Sequence, residues 1–167
     1  MAAHHLAQLN VATLVAPIDS PELADFVAQL DEINALAERS PGFVWRFRTD
    51  EGNATGAEHP FGDDVIPNMS VWTSIEALHG YVYRSAHTFV MARRSEWFHR
   101  MRESYSVLWW VPAGHRPTLD EAHGRLERLR TDGPGARAFT FKRPWPAPHA
   151  PAGTAAPDPL DDLCPAG

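Results

Sequence analysis

The run Tyr105 to Val111, YSVLWWV, constrains this chain more than any other stretch. It is strongly β-prone, apolar at nearly every position and stopped by Pro112. It therefore reads as a strand buried on both faces, and any sheet that contains it must be covered above and below. The flanking segments supply the rest of such a sheet. His5 to Leu14 reads as a first strand with Asn10 inside it, ending before Pro17. Ser20-Pro21 gives an N-cap and a first-turn proline, and Leu23, Phe26, Val27, Leu30, Ile33 and Ala37 then recur at helical spacing until Pro41-Gly42. Phe43 to Arg48 alternates aromatic with mostly basic side chains, the period-two pattern of a strand with unlike faces.

Asn68 to Trp72 is expected to be a third strand with Asn68, Ser70 and Trp72 on one face. Thr73 and Glu76 have capping-box spacing, which opens a helix that Gly80 and Arg84-Ser85 bend or break. A further helix is predicted from Ala86 to Arg102, opened by His87 and burying Val90, Trp97 and Met101. After the Tyr105 strand, Thr118 and Glu121 repeat the capping spacing. Leu119, Ala122, Leu126 and Leu129 mark the buried stripe of a last helix, and Gly133-Pro134-Gly135 turns into a short final strand, Ala138 to Lys142. The order is βαββαβ with an added C-terminal helix and strand: an α+β, ferredoxin-like antiparallel sheet with helices on one face. The other face is expected to be buried by a second copy, making a homodimer.

At 167 residues the chain has room for one substantial core, taken to span residues 1–143, with 144–167 a Pro/Ala-rich tail that is expected to be disordered. A net charge of −6 argues against a nucleic-acid partner. The longest apolar stretch is too short to cross a bilayer and the first residues lack a basic segment followed by an apolar run, so no membrane partner and a cytoplasmic location are expected. A single cysteine, Cys164, excludes an internal disulfide or a cysteine metal cage. Residues 49–66, rich in Gly, Asp, Glu, Asn and Pro, read as a lid-like or disordered loop.

HLAQLN near the start, INALAERSPGFVWR, NMSVW, the stretch from YRSAH through RRSEWF, and LWWVPAGHRPTLDEA together resemble the bacterial domain-of-unknown-function family DUF3291. The resemblance spans roughly residues 5–142 and implies the dimeric α/β-barrel superfamily, which holds antibiotic-biosynthesis monooxygenases, haem-degrading monooxygenases, polyketide cyclases, muconolactone isomerases and chlorite dismutases. Shared architecture does not select among these. The haem-degrading branch places an asparagine on strand one, a tryptophan on a helix and an iron-ligating histidine on a helix. Asn10 matches the first and VWTS at 71–74 resembles the start of that branch's helix, whereas the helical tryptophan is matched by Tyr81 and the nearest histidine, His87, comes several residues early.

The catalytic candidates are accordingly His87, as general base, proton donor or haem ligand, Asn10 as an orienting amide, and Tyr81. Trp72, Ser70, Trp97 and Tyr83 are the substrate-binding candidates, with at most one of Tyr81 and Tyr83 able to face the site. Trp109 and Trp110 read as core or dimer contacts, Arg46 as solvent-facing, and Glu121 as occupied by its cap, leaving His115 to a turn. His79, His99 and His123 lack metal-site spacing, and there is no P-loop, dinucleotide-binding glycine motif or nucleophile elbow. The leading expectation is a monooxygenase-like enzyme of secondary metabolism, cofactor-free or haem-dependent, acting on a hydrophobic or aromatic small molecule. A cyclase or isomerase of a polyketide-like substrate and a non-enzymatic ligand-binding or stress-related barrel are the alternatives.

Overall fold

The computed structural model describes residues 3–48, 60–62, 64–84, 92–100 and 103–148. The elements are β1 (His4–Thr13), α1 (Ala24–Arg39), β2 (Phe43–Arg46), β3 (Val65–Trp72), α2 (Ile75–Arg84), α3 (Arg94–Trp97), β4 (Ser106–Pro112) and α4 (Leu119–Asp132). The strands form an antiparallel sheet in the order β2-β3-β1-β4, the ferredoxin-like arrangement expected. Most of loop 49–66, the candidates His87, Val90 and Met101, and the tail from 149 onward lie outside the described residues.

Strand parity divides the sheet into two faces. Ala7, Leu9 and Val11 of β1, Met69 and Val71 of β3, and Val107, Trp109 and Val111 of β4 point to one side and bury against Leu119, Ala122, Leu126 and Leu129 of α4. Leu6, Trp72 and Leu108 point to the other, against Ala37 of α1, Ile75 and Leu78 of α2, and Phe139. Farther along this second side, Leu14, Leu23, Phe26, Ile33 and Trp97 form a third apolar cluster. β4 is thus buried on both faces, as its composition requires. The face assigned to a second copy is instead closed by the chain's own last helix.

Several local expectations are corrected. A register shift between Phe43 and Trp45 turns β2 by one residue, so Phe43 joins the α1/α2 side while Trp45 and Phe47 lie on the α4 side. β3 begins three residues earlier than read: Pro67 is tolerated because β2 has ended and that part of β3 is an edge. Ser74, not Thr73, caps α2, its hydroxyl accepting from the Ala77 N–H at 3.1 Å. Val27 of α1 is exposed. The predicted helix to Arg102 stops at Trp97, because Phe98 turns extended and bridges Leu14. Of the final strand only Phe139 bridges the sheet, to Leu108, while Ala138 bridges back to Gly135, and the chain still holds to the sheet at residue 145, where the Trp110 indole donates to the Trp145 carbonyl at 2.8 Å.

Candidate functional site

Between the two apolar clusters on the α1/α2 side, β1 contributes Gln8 and Asn10. Register places Gln8 opposite Ser70 on β3 and Leu108 on β4, with Arg46 beyond Ser70, and Asn10 opposite Asn68 and Ser106. A polar island therefore crosses the sheet on this side. Gln8 (7% exposed) and Ser70 (6%) are the only buried polar residues among those described. Burying such groups costs free energy unless they are hydrogen-bonded, and here each is. The Asn10 amide donates to Gln8 Oε1 at 3.3 Å; Gln8 Nε2 donates to Ser70 Oγ at 2.8 Å and reaches Asn68 Oδ1 at 3.5 Å. The Trp72 indole N–H also donates to Ser70 Oγ at 2.8 Å.

Trp72 forms the floor beside this island. Phe43 meets its ring edge-on with centroids 5.5 Å apart, and Tyr81 of α2 stacks on it at 5.1 Å with planes 25° apart. The Tyr81 hydroxyl donates to the Ile33 carbonyl of α1 at 3.4 Å. Burial pushes its pKa up to about 12, the nearby Arg46 guanidinium only partly opposing that shift, so at neutral pH the phenol keeps its proton and is a donor rather than a base. Arg46 is not solvent-facing as expected: its side chain is only 14% exposed and its Nε donates to Glu38 at 2.7 Å.

The remaining candidates disperse. Tyr83 lies against His79, ring centroids 4.2 Å apart, and His79 meets Phe141, away from the Trp72–Tyr81 stack. Trp97 is buried against Phe26 under the Arg93 guanidinium and belongs to the third apolar cluster. Trp109 is core on the α4 side, and its indole donates to Glu121 at 3.2 Å. The other Glu121 oxygen meets His115 Nε2 at 2.8 Å, so that carboxylate does not return to its cap. This pair sits at the start of α4, on the layer opposite the island.

The sequence reading missed Gln8 and misplaced Arg46. Gln8 stands two residues before Asn10 and so shares its face, but only cross-strand register reveals that the pair meets Asn68 and Ser70. Among the described residues, no group of three or more His, Cys, Asp or Glu side chains can hold a metal. Haem does not fit the donor set of the island either: amides, a hydroxyl and an indole do not ligate iron, and the Tyr81 phenol is held protonated. The haem reading therefore depends on His87 alone, outside the described residues.

No helix among the described residues is long and apolar enough to cross a membrane. The chain is similar in structure to SnoaB, a cofactor-independent oxygenase from Streptomyces nogalater, at 20% identity and TM-score 0.44 over 70% of this chain and 98% of that one. It is also similar to NE2512, a protein of unknown function from Nitrosomonas europaea, at 14% identity and TM-score 0.44 over 71% and 97%. A third, assigned by name to the antibiotic biosynthesis monooxygenases, from Chloroflexus aurantiacus J-10-fl, aligns at 14% identity and TM-score 0.38 over 69% and 98%. No curated protein matches. The family model "Domain of unknown function (DUF3291)" matches residues 5–155, nearly the whole chain, and the chain belongs to that family.

Proposed function

We propose that this chain is a monooxygenase-like enzyme without a resident cofactor, acting on a hydrophobic or aromatic small molecule held at the polar island. The observation that carries the reading is the island itself: two buried polar residues, bonded to each other and to Asn10, Asn68 and Trp72, between two apolar clusters. Structural stability alone favours aliphatic side chains at such positions, whereas binding pockets combine apolar walls with a few placed polar groups. The resemblance to the antibiotic-biosynthesis monooxygenase-like superfamily supports the same reading.

The island supplies orientation rather than acid–base chemistry. Amides and a hydroxyl do not titrate near neutrality, and Tyr81 keeps its proton. The reducing electrons must then come from the substrate. A doubly benzylic methylene beside an electron-rich ring meets this requirement. One methylene and one dioxygen give one ketone and one water: both C–H bonds break, one oxygen atom enters the new carbonyl, and the other leaves as water with the two hydrogens. The methylene carbon supplies all four electrons, with no external reductant. Trp72 and Tyr81 would wall the flat ring system, and Asn10 and Asn68, at the more open end of the island, would orient its oxygens.

The test is oxygen uptake with anthrone in the absence of added cofactor. The expected result is one dioxygen consumed per anthrone, label from heavy-isotope dioxygen in the new carbonyl, and a kcat reduced by about a hundredfold or more in Asn10→Ala, the order expected for loss of a polar group aimed at the reacting centre. Rearranged product without oxygen uptake would move the assignment to a cyclase or isomerase, and no turnover of any polycyclic ketone would leave a binding protein.

A further inference from the structure

Ser70 carries a hydroxyl proton that no acceptor among the described residues takes. Its oxygen accepts from Gln8 Nε2 and from Trp72 Nε1, both at 2.8 Å. An indole nitrogen is only ever a donor, and the hydrogen-bond direction from Asn10 through Gln8 makes Gln8 Nε2 a donor too. A serine oxygen has two lone pairs, and both are taken. Its Cβ bond and the two accepted bonds occupy three of four tetrahedral directions, so the proton must take the fourth. Ser70 donates no hydrogen bond among the described residues, although it is almost fully buried. A buried donor without an acceptor is costly, and a ligand oxygen relieves that cost.

We propose that Ser70 is an obligate hydrogen-bond donor that selects a carbonyl oxygen on the ligand, and that Gln8 is the positioning residue that holds it in that role. The inference rests on the small-molecule reading of the island and sharpens it to aryl ketones or quinones. Two donors to its oxygen polarise the Ser70 O–H and strengthen it as a donor, while the same bonds remove the lone pairs a nucleophile or base would use. Arg46, next in the row, has its charge engaged by Glu38, so the neutral hydroxyl sets the preference for a neutral carbonyl.

Two probes that differ only in the carbonyl, 1-tetralone and tetralin, test this. Binding is measured by titration, and the tetralone C=O stretch by infrared difference spectroscopy on the full chain. Tetralone should bind about two- to tenfold tighter than tetralin, the value of one neutral hydrogen bond, with its C=O band moved to lower frequency. Ser70→Ala should abolish both the preference and the shift while tetralin affinity stays the same. Gln8→Glu should do likewise, because the new carboxylate takes the Ser70 proton as acceptor. An unshifted band in the unaltered protein, or a shift that persists in a folded Ser70→Ala variant, overturns the role of Ser70 and leaves the small-molecule site standing. Failure of both probes to bind overturns the inference and counts against the site reading as well.

Discussion

Tyr81 and Gly42 are single positions on which the layer over the island depends. The Tyr81 phenol is buried, and its pKa is raised from 10.0 to about 12. Because the folded value lies above the unfolded one, the associated stability is fully present below pH 10 and is lost as pH rises through about 12, with no effect near neutrality. Two units correspond to roughly 2–3 kcal/mol. Denaturant midpoints from pH 8 to 12 should therefore fall more steeply for the unaltered protein than for Tyr81→Phe, and parallel curves would show that the phenol is more accessible than the stack implies. Gly42 has φ +82°, and a Cβ there would run into the Ala77 side chain and within 2.6 Å of Thr73 Oγ1. Gly42→Ala combines left-handed strain with a clash against the start of α2, costing roughly 2–4 kcal/mol. Since Phe43 follows directly and rests on Trp72, the lowered melting midpoint should come with a change in near-ultraviolet circular dichroism.

At the scale of elements, α4 shows what spacing can and cannot reveal. Thr118 caps it as read, accepting from the Glu121 N–H at 3.1 Å, and Thr118→Ala should lower stability by about 1 kcal/mol in urea titration. The stripe Leu119, Ala122, Leu126, Leu129 is buried as its period requires. For α2 the same spacing misled by one residue, for a reason that lies in the sheet: the Thr73 N–H is taken by the Gly42 carbonyl at 2.8 Å, which keeps Thr73 with the β2–β3 junction and leaves the cap to Ser74. The predicted long helix to Arg102 ended early because of contacts distant in sequence. Val15 N–H bonds the Trp97 carbonyl at 2.9 Å and His99 N–H bonds the Thr13 carbonyl at 2.8 Å, so an extension of β1 captures the chain. The site was legible in the same uneven way. Asn10, Ser70 and Trp72 stand out as polar or aromatic residues on strands, but Gln8 and Arg46 gain meaning only once the β1–β3 and β2–β3 registers are known. Local pattern reports which face a residue takes and is silent on what stands opposite.

For the whole molecule, the decisive feature is what α4 covers. All eight sheet side chains on that face, from Ala7 to Val111, are 3% exposed or less within one chain, those of β1 and β4 under α4 itself. A second copy pairing through that face would have to displace α4 and its three buried leucines, worth roughly 5–9 kcal/mol at 1.5–3 kcal/mol each. That is comparable to the entire stability of an ordinary domain. Among the described residues, the large hydrophobic residues left exposed, Val15, Val27, Val44 and Trp145, come from four separate segments and do not replace the covered face. Light scattering after size exclusion should accordingly give the mass of one chain, 18.6 kDa, at micromolar concentration. Leu126→Asp sets a charge in the middle of the α4 stripe, where an unpaired carboxylate is strongly disfavoured, and loosens the helix from the sheet. Its expected consequence is self-association that rises with concentration, as the uncovered strands find the same face on another copy. A dimer of the unaltered chain that persists in Leu126→Asp would locate the contact elsewhere, whereas one that dissociates would mean that α4 itself forms the interface.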